Sequence, residues 1–342
     1  MHYRALGKTG ISISEIGFGA WGIGGTGWGG ARDEESLAAL HTAIDSGINL
    51  IDTALAYGGG HSEALVGQVV RARRERVFVA TKIPPLHTSL PTPRWSSVKW
   101  AFPPGHIVAC TERSLRNLKL DCIDLQQLHV WRDKWIEDDC WLEALRKLKG
   151  AGKIRWIGVS LRHHEPDSAL RLVKSGLIDA VQVIYNIFDQ SSAEALFPAC
   201  MEHKIGVLVR CPFDEGGLTG TIATDTTFPA GDFRSSYFAG DRKTQLVTHV
   251  NPLLKLLGAE ARTLPELALR FCLAHPAVSA VLAGMRTRQH VVENCTVSDG
   301  RGLRAGLLHE LKAHAWPRNF YESYPVGLLG NAKWLIKRLI RY

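Results

Sequence analysis

Short Ile- and Val-rich runs, almost continuously apolar, recur along the chain with a helix-patterned stretch between one and the next. No other feature restricts the fold as much. A strand with alternating polar residues can leave one face in water, whereas a run without polar gaps needs cover on both faces. Strand and helix in strict alternation read as βαβ units around a parallel sheet. The runs number eight: Glu15–Phe18, Asn49–Asp52, Val77–Lys82, Ile123–His129, Ile154–Ser160, Ala180–Tyr185, Gly206–Arg210 and Val278–Leu282. Between them, stretches such as Glu35–Ser46, Ser62–Arg74 and His106–Leu118 carry apolar residues at helical spacing. Ahead of the first run, Tyr3–Ser14 reads as a β-hairpin turning at Lys8-Thr9-Gly10.

Eight such repeats favour a closed (β/α)8 TIM barrel over an open doubly wound sheet. The glycines of Gly17–Gly22 lead into no immediate helix, because the next helical pattern begins only around Asp33, so a dinucleotide-binding G-x-G-x-x-G is absent. Two connections, 83–105 and 212–243, are too long for turns and fall on the barrel's C-terminal face, where active sites form. A chain of 342 residues exceeds a barrel's usual length of about 250. The barrel is therefore expected to span residues 1–320 as one domain, with 321–342 as a C-terminal extension. In that extension Trp334, Leu335 and Leu339 stand at helical spacing opposite Lys333, Lys337, Arg338 and Arg341. Such a basic amphipathic helix would lie on an anionic membrane, dock on a partner or pack beneath the barrel.

Charge and cysteine usage remove other classes. The 41 Lys+Arg against 33 Asp+Glu give +8. Most of these cations sit beside acids on helix faces, as in Arg71–Arg76, and no nucleic-acid motif accompanies them, so no nucleic-acid partner is expected. Seven cysteines without a C-x-x-C pair read as reduced thiols. No H-E-x-x-H spacing occurs, and no metal is expected. No apolar run reaches the roughly 18 residues of a membrane span. The opening Met1–Gly7 lacks the apolar core of a signal peptide, from which a cytoplasmic location is expected.

Four polar residues stand at or just past the ends of consecutive strands: Asp52 and Tyr57 after the second, Lys82 at the end of the third, His129 at the end of the fourth. In a barrel those ends converge on one pocket. A free tyrosine, with a pKa near 10, is a poor acid at neutral pH. An adjacent ammonium would lower that value, and a carboxylate would hold the ammonium charged. A Tyr57–Lys82–Asp52 chain is thus a tuned general acid, with His129 placed to orient a carbonyl oxygen.

With these residues in hand, the chain resembles the aldo-keto reductases. The resemblance runs in order through Tyr3–Gly10, Asn49–Ala54, Tyr57–Glu63, Ala80–Lys82, Asp124–His129, Gly158–Ser160, Gln182–Asn186, Gly217–Gly220 and Gly284–Arg286, then Glu293-Asn294. It covers about residues 1–300. It implies a barrel that reduces aldehydes and ketones to alcohols with NADPH, and its four catalytic positions fall on Asp52, Tyr57, Lys82 and His129. It further implies that Ser160 and Gln182 hold the nicotinamide carboxamide, and that the loop through Pro212, Gly216, Leu218 and Thr219 covers the pyrophosphate with backbone N–H groups. The stretch from Gly284 through Arg286, Thr287, Arg288 and His290 would hold the adenosine 2′-phosphate, and Asn294 would face the adenine.

The chain also departs from that pattern. Leu161-Arg162 stands where many members have an asparagine after the fifth strand, and Arg210 replaces a tyrosine that often stacks on nicotinamide. Loop tryptophans Trp21, Trp28, Trp95, Trp100 and Trp131 are candidates for lining the substrate pocket. The resemblance leaves a second reading, a cofactor-binding accessory subunit with slow or no turnover, like the potassium-channel β subunits of the same superfamily.

Overall fold

The computed structural model describes residues 1–87, 92 and 96–321. Trp95 and the basic stretch Val326–Tyr342 lie outside the described residues. Eight parallel strands close into a barrel: β3 (Ile16–Gly19), β4 (Leu50–Asp52), β5 (Phe78–Ile83), β6 (Ile123–Leu128), β7 (Ile154–Ser160), β8 (Ala180–Ile184), β9 (Gly206–Arg210) and β10 (Val278–Gly284). Their order around the barrel is β10-β3-β4-β5-β6-β7-β8-β9, so β10 pairs back onto β3. The barrel and its N-terminal hairpin are those read from the sequence.

Helices cover the outside: α1 (Asp33–Asp45), α2 (His61–Ala72), α3 (Val98–Ala101), α4 (Pro104–Leu118), α5 (Cys140–Gly150), α6 (Leu170–Ser175), α7 (Leu196–Glu202), α8 (Arg234–Tyr237), α9 (Arg242–Leu254), α10 (Leu264–Leu273), α11 (Arg288–Cys295) and α12 (Ala305–Lys312). Strand residues facing outward meet these helices, and those facing inward meet one another, which is why the runs are almost wholly buried; Arg155, near the start of β7, is exposed. Among the described residues no helix is long and apolar enough to cross a membrane.

The hairpin of β1 (Tyr3–Ala5) and β2 (Ser12–Ser14) pairs antiparallel. Its Leu6 and Ile13 join Leu50, Phe78, Leu125 and Leu208 inside the barrel, so the hairpin plugs the lower end. Each such burial stabilises by roughly 1.5–3 kcal/mol. The plug seats only because Gly7 has φ +51 and no side chain: a Cβ there would meet Gly206 N at 2.3 Å.

Strand periodicity then builds the upper end. Alternate residues face inward. The inward residue after Leu50 is Asp52, after Phe78 and Ala80 it is Lys82, after Leu125 it is Gln127, after Ala180 it is Gln182, and after Leu208 it is Arg210. The lower layers are apolar and the last layer is polar.

Candidate active site

Lys82 is wholly buried at the end of β5. Its ammonium donates to Asp52 Oδ2 at 2.6 Å, to the Thr53 carbonyl at 2.8 Å and to Tyr57 Oη at 3.2 Å. An ammonium has three protons, and all three are placed. Tyr57 Oη therefore accepts from Lys82 and keeps its own proton for another acceptor. Burial acts to neutralise Lys82, but the Asp52 carboxylate and then Tyr57 hold its pKa above the ordinary value. Asp52 is fixed in turn: its Oδ1 accepts from Gln182 Nε2 at 2.8 Å and from Gln127 Nε2 at 3.3 Å.

Tyr57 reaches this point from a tight turn, Tyr57–Gly60, in which Gly58, Gly59 and Gly60 all have positive φ. At Gly58 the turn runs against Gly24, whose carbonyl oxygen would lie 1.9 Å from a Cβ. The expectation that Lys82 brings the phenol below its ordinary pKa is corrected here. Burial raises it by more than the ammonium lowers it, Asp52 adds to the rise, and the net shift is upward. The phenol thus stays protonated through neutral pH.

His129 follows β6 directly, its backbone N–H donating to the Ile83 carbonyl at 2.9 Å. Its ring meets Tyr57 edge-on, centroids 5.7 Å apart. Burial, with Lys82 and Arg210 nearby, holds its pKa well below the usual value, so the imidazole is neutral. Nδ1 is buried without a partner among the described residues. A neutral ring with an unpaired nitrogen can offer one N–H to an oxygen bound beside Tyr57.

Across the mouth lie the remaining inward positions. Ser160 is 2% exposed, and its hydroxyl has no partner among the described residues, leaving it open to an amide. Gln182 Nε2 donates to Asp52 Oδ1 at 2.8 Å and to Gln127 Oε1 at 3.5 Å. Arg210 donates to the Leu161 carbonyl and His163 Nδ1, both at 3.1 Å, and to Cys211 Sγ at 3.3 Å. Beyond it the chain turns sharply, Cys211, Asp214 and Glu215 all having positive φ. Pro212 is buried, and Gly216 and Leu218 N–H both donate to the Phe213 carbonyl, so the expectation that these two N–H groups meet a pyrophosphate is corrected: they are engaged within the turn. Thr219 Oγ1 donates to the Gly216 carbonyl at 2.6 Å.

Gly284 is exposed at the end of β10, and Thr287 caps α11 by accepting from His290 N. Arg288 and His290 are exposed, and the side chain of the buried Asn294 has no hydrogen-bond partner among the described residues. Arg286 instead donates to the Gly29 carbonyl at 2.6 Å and lies 5.8 Å from the Trp28 ring. At the rim Trp21 stacks toward Tyr57, centroids 6.2 Å apart, and packs on Trp28 and Phe233. Phe233 N–H donates to the Gly27 carbonyl, joining the loops after β3 and β9. Trp100 is half-buried against His87. The expectation that Trp131 lines a substrate pocket is corrected: it is wholly buried edge-on to Trp135 and Trp141 and packs the core.

Three contributors went unnoticed in the sequence. Gln127 follows from the strand period, two residues past Leu125. His163 and Tyr321 carry no local signal. Tyr321 stacks on His163, centroids 3.6 Å apart and planes 7° from parallel, and its hydroxyl bonds Glu215.

The family model described as the aldo/keto reductase family matches residues 15–303. Among curated proteins, aldo-keto reductase YhdN of Bacillus subtilis is 35% identical over 291 residues, 84% of this chain and 85% of that protein. The NADH-specific methylglyoxal reductase of Escherichia coli is 30% identical over 307 residues, 84% of this chain and 91% of that protein. Among solved structures, glycerol dehydrogenase of Gluconobacter oxydans matches with a TM-score of 0.74 and 29% identity, covering 93% of this chain and 97% of that one.

Proposed function

Since the chain belongs to the aldo/keto reductase family, whose general activity is nicotinamide-dependent carbonyl reduction, we propose that it is an NADPH-dependent reductase of small aldehydes or ketones, with Tyr57 as the proton donor. The observation that carries this reading is the full pairing of the Lys82 ammonium, which leaves the Tyr57 hydroxyl proton unassigned. That proton goes to the carbonyl oxygen of the substrate. Lys82, held charged by Asp52, then stabilises the phenolate that forms, because the positive charge is already in place and needs no reorganisation. Neutral His129 donates a second hydrogen bond to the same oxygen and sets its orientation.

When bound, NADPH supplies the hydride that attacks the carbonyl carbon. The residues present suit it. Ser160 offers an unpaired hydroxyl to the carboxamide beside Gln182, and Arg210 would face the ring. The loop of Pro212, Gly216, Leu218 and Thr219 would lie over the pyrophosphate without the Gly216 and Leu218 N–H groups, which the Phe213 carbonyl takes, and Asn294 has a free amide for the adenine. NADPH is preferred over NADH because Arg288 and His290 stand exposed beside the capped start of α11, with Arg286 and Thr287 next to them. No acid lies between Gly284 and Val292 to receive a ribose hydroxyl. The aromatic rim of Trp21, Trp28 and Phe233 favours an apolar or planar substrate.

The test is NADPH consumption over a panel of aldehydes, ketones and quinones. Steady turnover on at least one class, absent in Tyr57→Phe, is the expected result. Tight NADPH binding with no consumption on any of them would return the accessory-subunit reading.

A further inference from the structure

Arg210 is the one cation of the polar layer whose charge no carboxylate of the described residues balances. The barrel order places β9 four strands from β5, diametrically across from Lys82. Lys82 is neutralised by Asp52 in direct contact. Arg210 makes no ion pair among the described residues; its partners are a carbonyl, a histidine and a thiol. The acid whose field reaches it, Glu215, is held by the Tyr321 hydroxyl and Cys211 Sγ, and burial pushes its carboxyl toward the neutral form. His163 is kept neutral by burial and by Arg210 itself, so its Nδ1 accepts and adds no charge. Tyr321, stacked on the His163 ring, fixes that acceptor in place. A guanidinium cannot lose its proton in a protein. The mouth of the barrel therefore carries a fixed positive charge on the side facing Tyr57, and its field reaches both Tyr57 and His129.

Resting on the cofactor reading above, we propose that Arg210 sets the redox balance of the bound nicotinamide. A ring laid across the mouth would present one face to the substrate at Tyr57 and the other to Arg210. The ring is neutral when reduced and carries a positive charge when oxidised. Its guanidinium neighbour repels the oxidised form and stacks without penalty on the reduced one. The protein thus holds NADPH more tightly than NADP+ and releases the oxidised product readily, while hydride transfer out of the bound cofactor becomes less favourable by the same factor. By Coulomb's law at an effective dielectric of about 20, a unit charge a few ångströms away is enough for a tenfold difference in affinity or more. Tenfold corresponds to about 30 mV for a two-electron couple, so the bound cofactor becomes easier to reduce than the free one by at least that much.

The experiment is calorimetric titration of NADPH and NADP+ separately into the wild-type protein, Arg210→Met and Arg210→Lys. Wild type is expected to bind NADP+ about tenfold or more weaker than NADPH. In R210M the NADP+ dissociation constant should fall about tenfold while that of NADPH moves less than threefold, and R210K should retain most of the wild-type ratio. A wild-type ratio near one would overturn the proposal, as would an unchanged ratio in R210M with NADPH binding intact. Should R210M fail to fold, Arg210→Gln, which keeps a donor for the Leu161 carbonyl, carries the same comparison. Absence of binding by either cofactor to wild type would refute the underlying cofactor reading, an outcome distinct from a ratio near one.

Discussion

Replacing Lys82 with methionine removes a buried charge without changing the shape of its stem. In the folded protein Asp52 then faces the barrel interior with two amide donors, Gln182 and Gln127, but no counter-ion. Breaking a buried pair from one side costs about 3–5 kcal/mol, because the remaining charge stays desolvated. Tyr57 meanwhile loses a hydrogen bond from a charged donor, about 1.5–3 kcal/mol, which is about 10- to 150-fold in turnover if the interaction is fully felt in the transition state. The two effects separate in the double variant Asp52→Asn/Lys82→Met, where no unpaired charge is left. Urea unfolding should show K82M destabilised by about 3 kcal/mol or more and the double variant recovering over half of that. Turnover should stay low in both, since neither supplies an ammonium to Tyr57, and the pH limit of reduction should move upward as the phenol loses its charged neighbour. A double variant no more stable than K82M, or a K82M enzyme within a few-fold of wild type, would refute this reasoning.

Burial holds His129 and His163 neutral in the folded state. Unfolded histidines bind protons below about 6.5, so stability is retained at pH 7 and lost as pH falls through that value. Urea midpoints at pH 7 and 5.5 should show the loss reduced by about 1 kcal/mol in His163→Asn. Arg318 pairs with the buried Asp214 at the start of the loop after β9 and stacks on Trp316 at 3.9 Å. Arg318→Met is expected to cost about 3 kcal/mol in urea unfolding and to weaken NADPH binding, whereas a chain ending at residue 325 should keep its turnover on a small aldehyde within a few-fold. Arg288→Ala should lose part of the preference for NADPH over NADH, about tenfold in the ratio of dissociation constants, with raised ionic strength weakening NADPH more than NADH.

The barrel was legible because its strands are buried on both faces, and that requirement writes itself as uninterrupted apolar runs. Ile154–Ser160 and Gly206–Arg210 match their strands at both ends, and the others differ by one or two residues at one end or both. The cluster of Asp52, Tyr57, Lys82 and His129 was legible for a related reason: a polar side chain closing an apolar run has to face either solvent or a site. Gln127 was hidden by its neighbour Gln126, since two adjacent glutamines do not say which one faces inward until the strand's phase is known. Trp131 was misread because tryptophans in long loops pack those loops as readily as they line a mouth, and only burial separates the two. Tyr321 reaches His163 and Glu215 through a contact between distant segments, for which no local spacing exists. Nor does a pattern of residue types reveal that burial outweighs the ammonium at Tyr57.

Isotope transfer tests the central claim most directly. NADPH deuterated at the reactive C4 position would be incubated with a carbonyl substrate, and the alcohol analysed by mass spectrometry. The account predicts one deuterium on the former carbonyl carbon per turnover in wild type. In Tyr57→Phe it predicts turnover lower by about 10²- to 10⁴-fold with the NADPH dissociation constant within threefold of wild type. An alcohol free of deuterium, or a Tyr57→Phe protein that turns over at the wild-type rate, would contradict it.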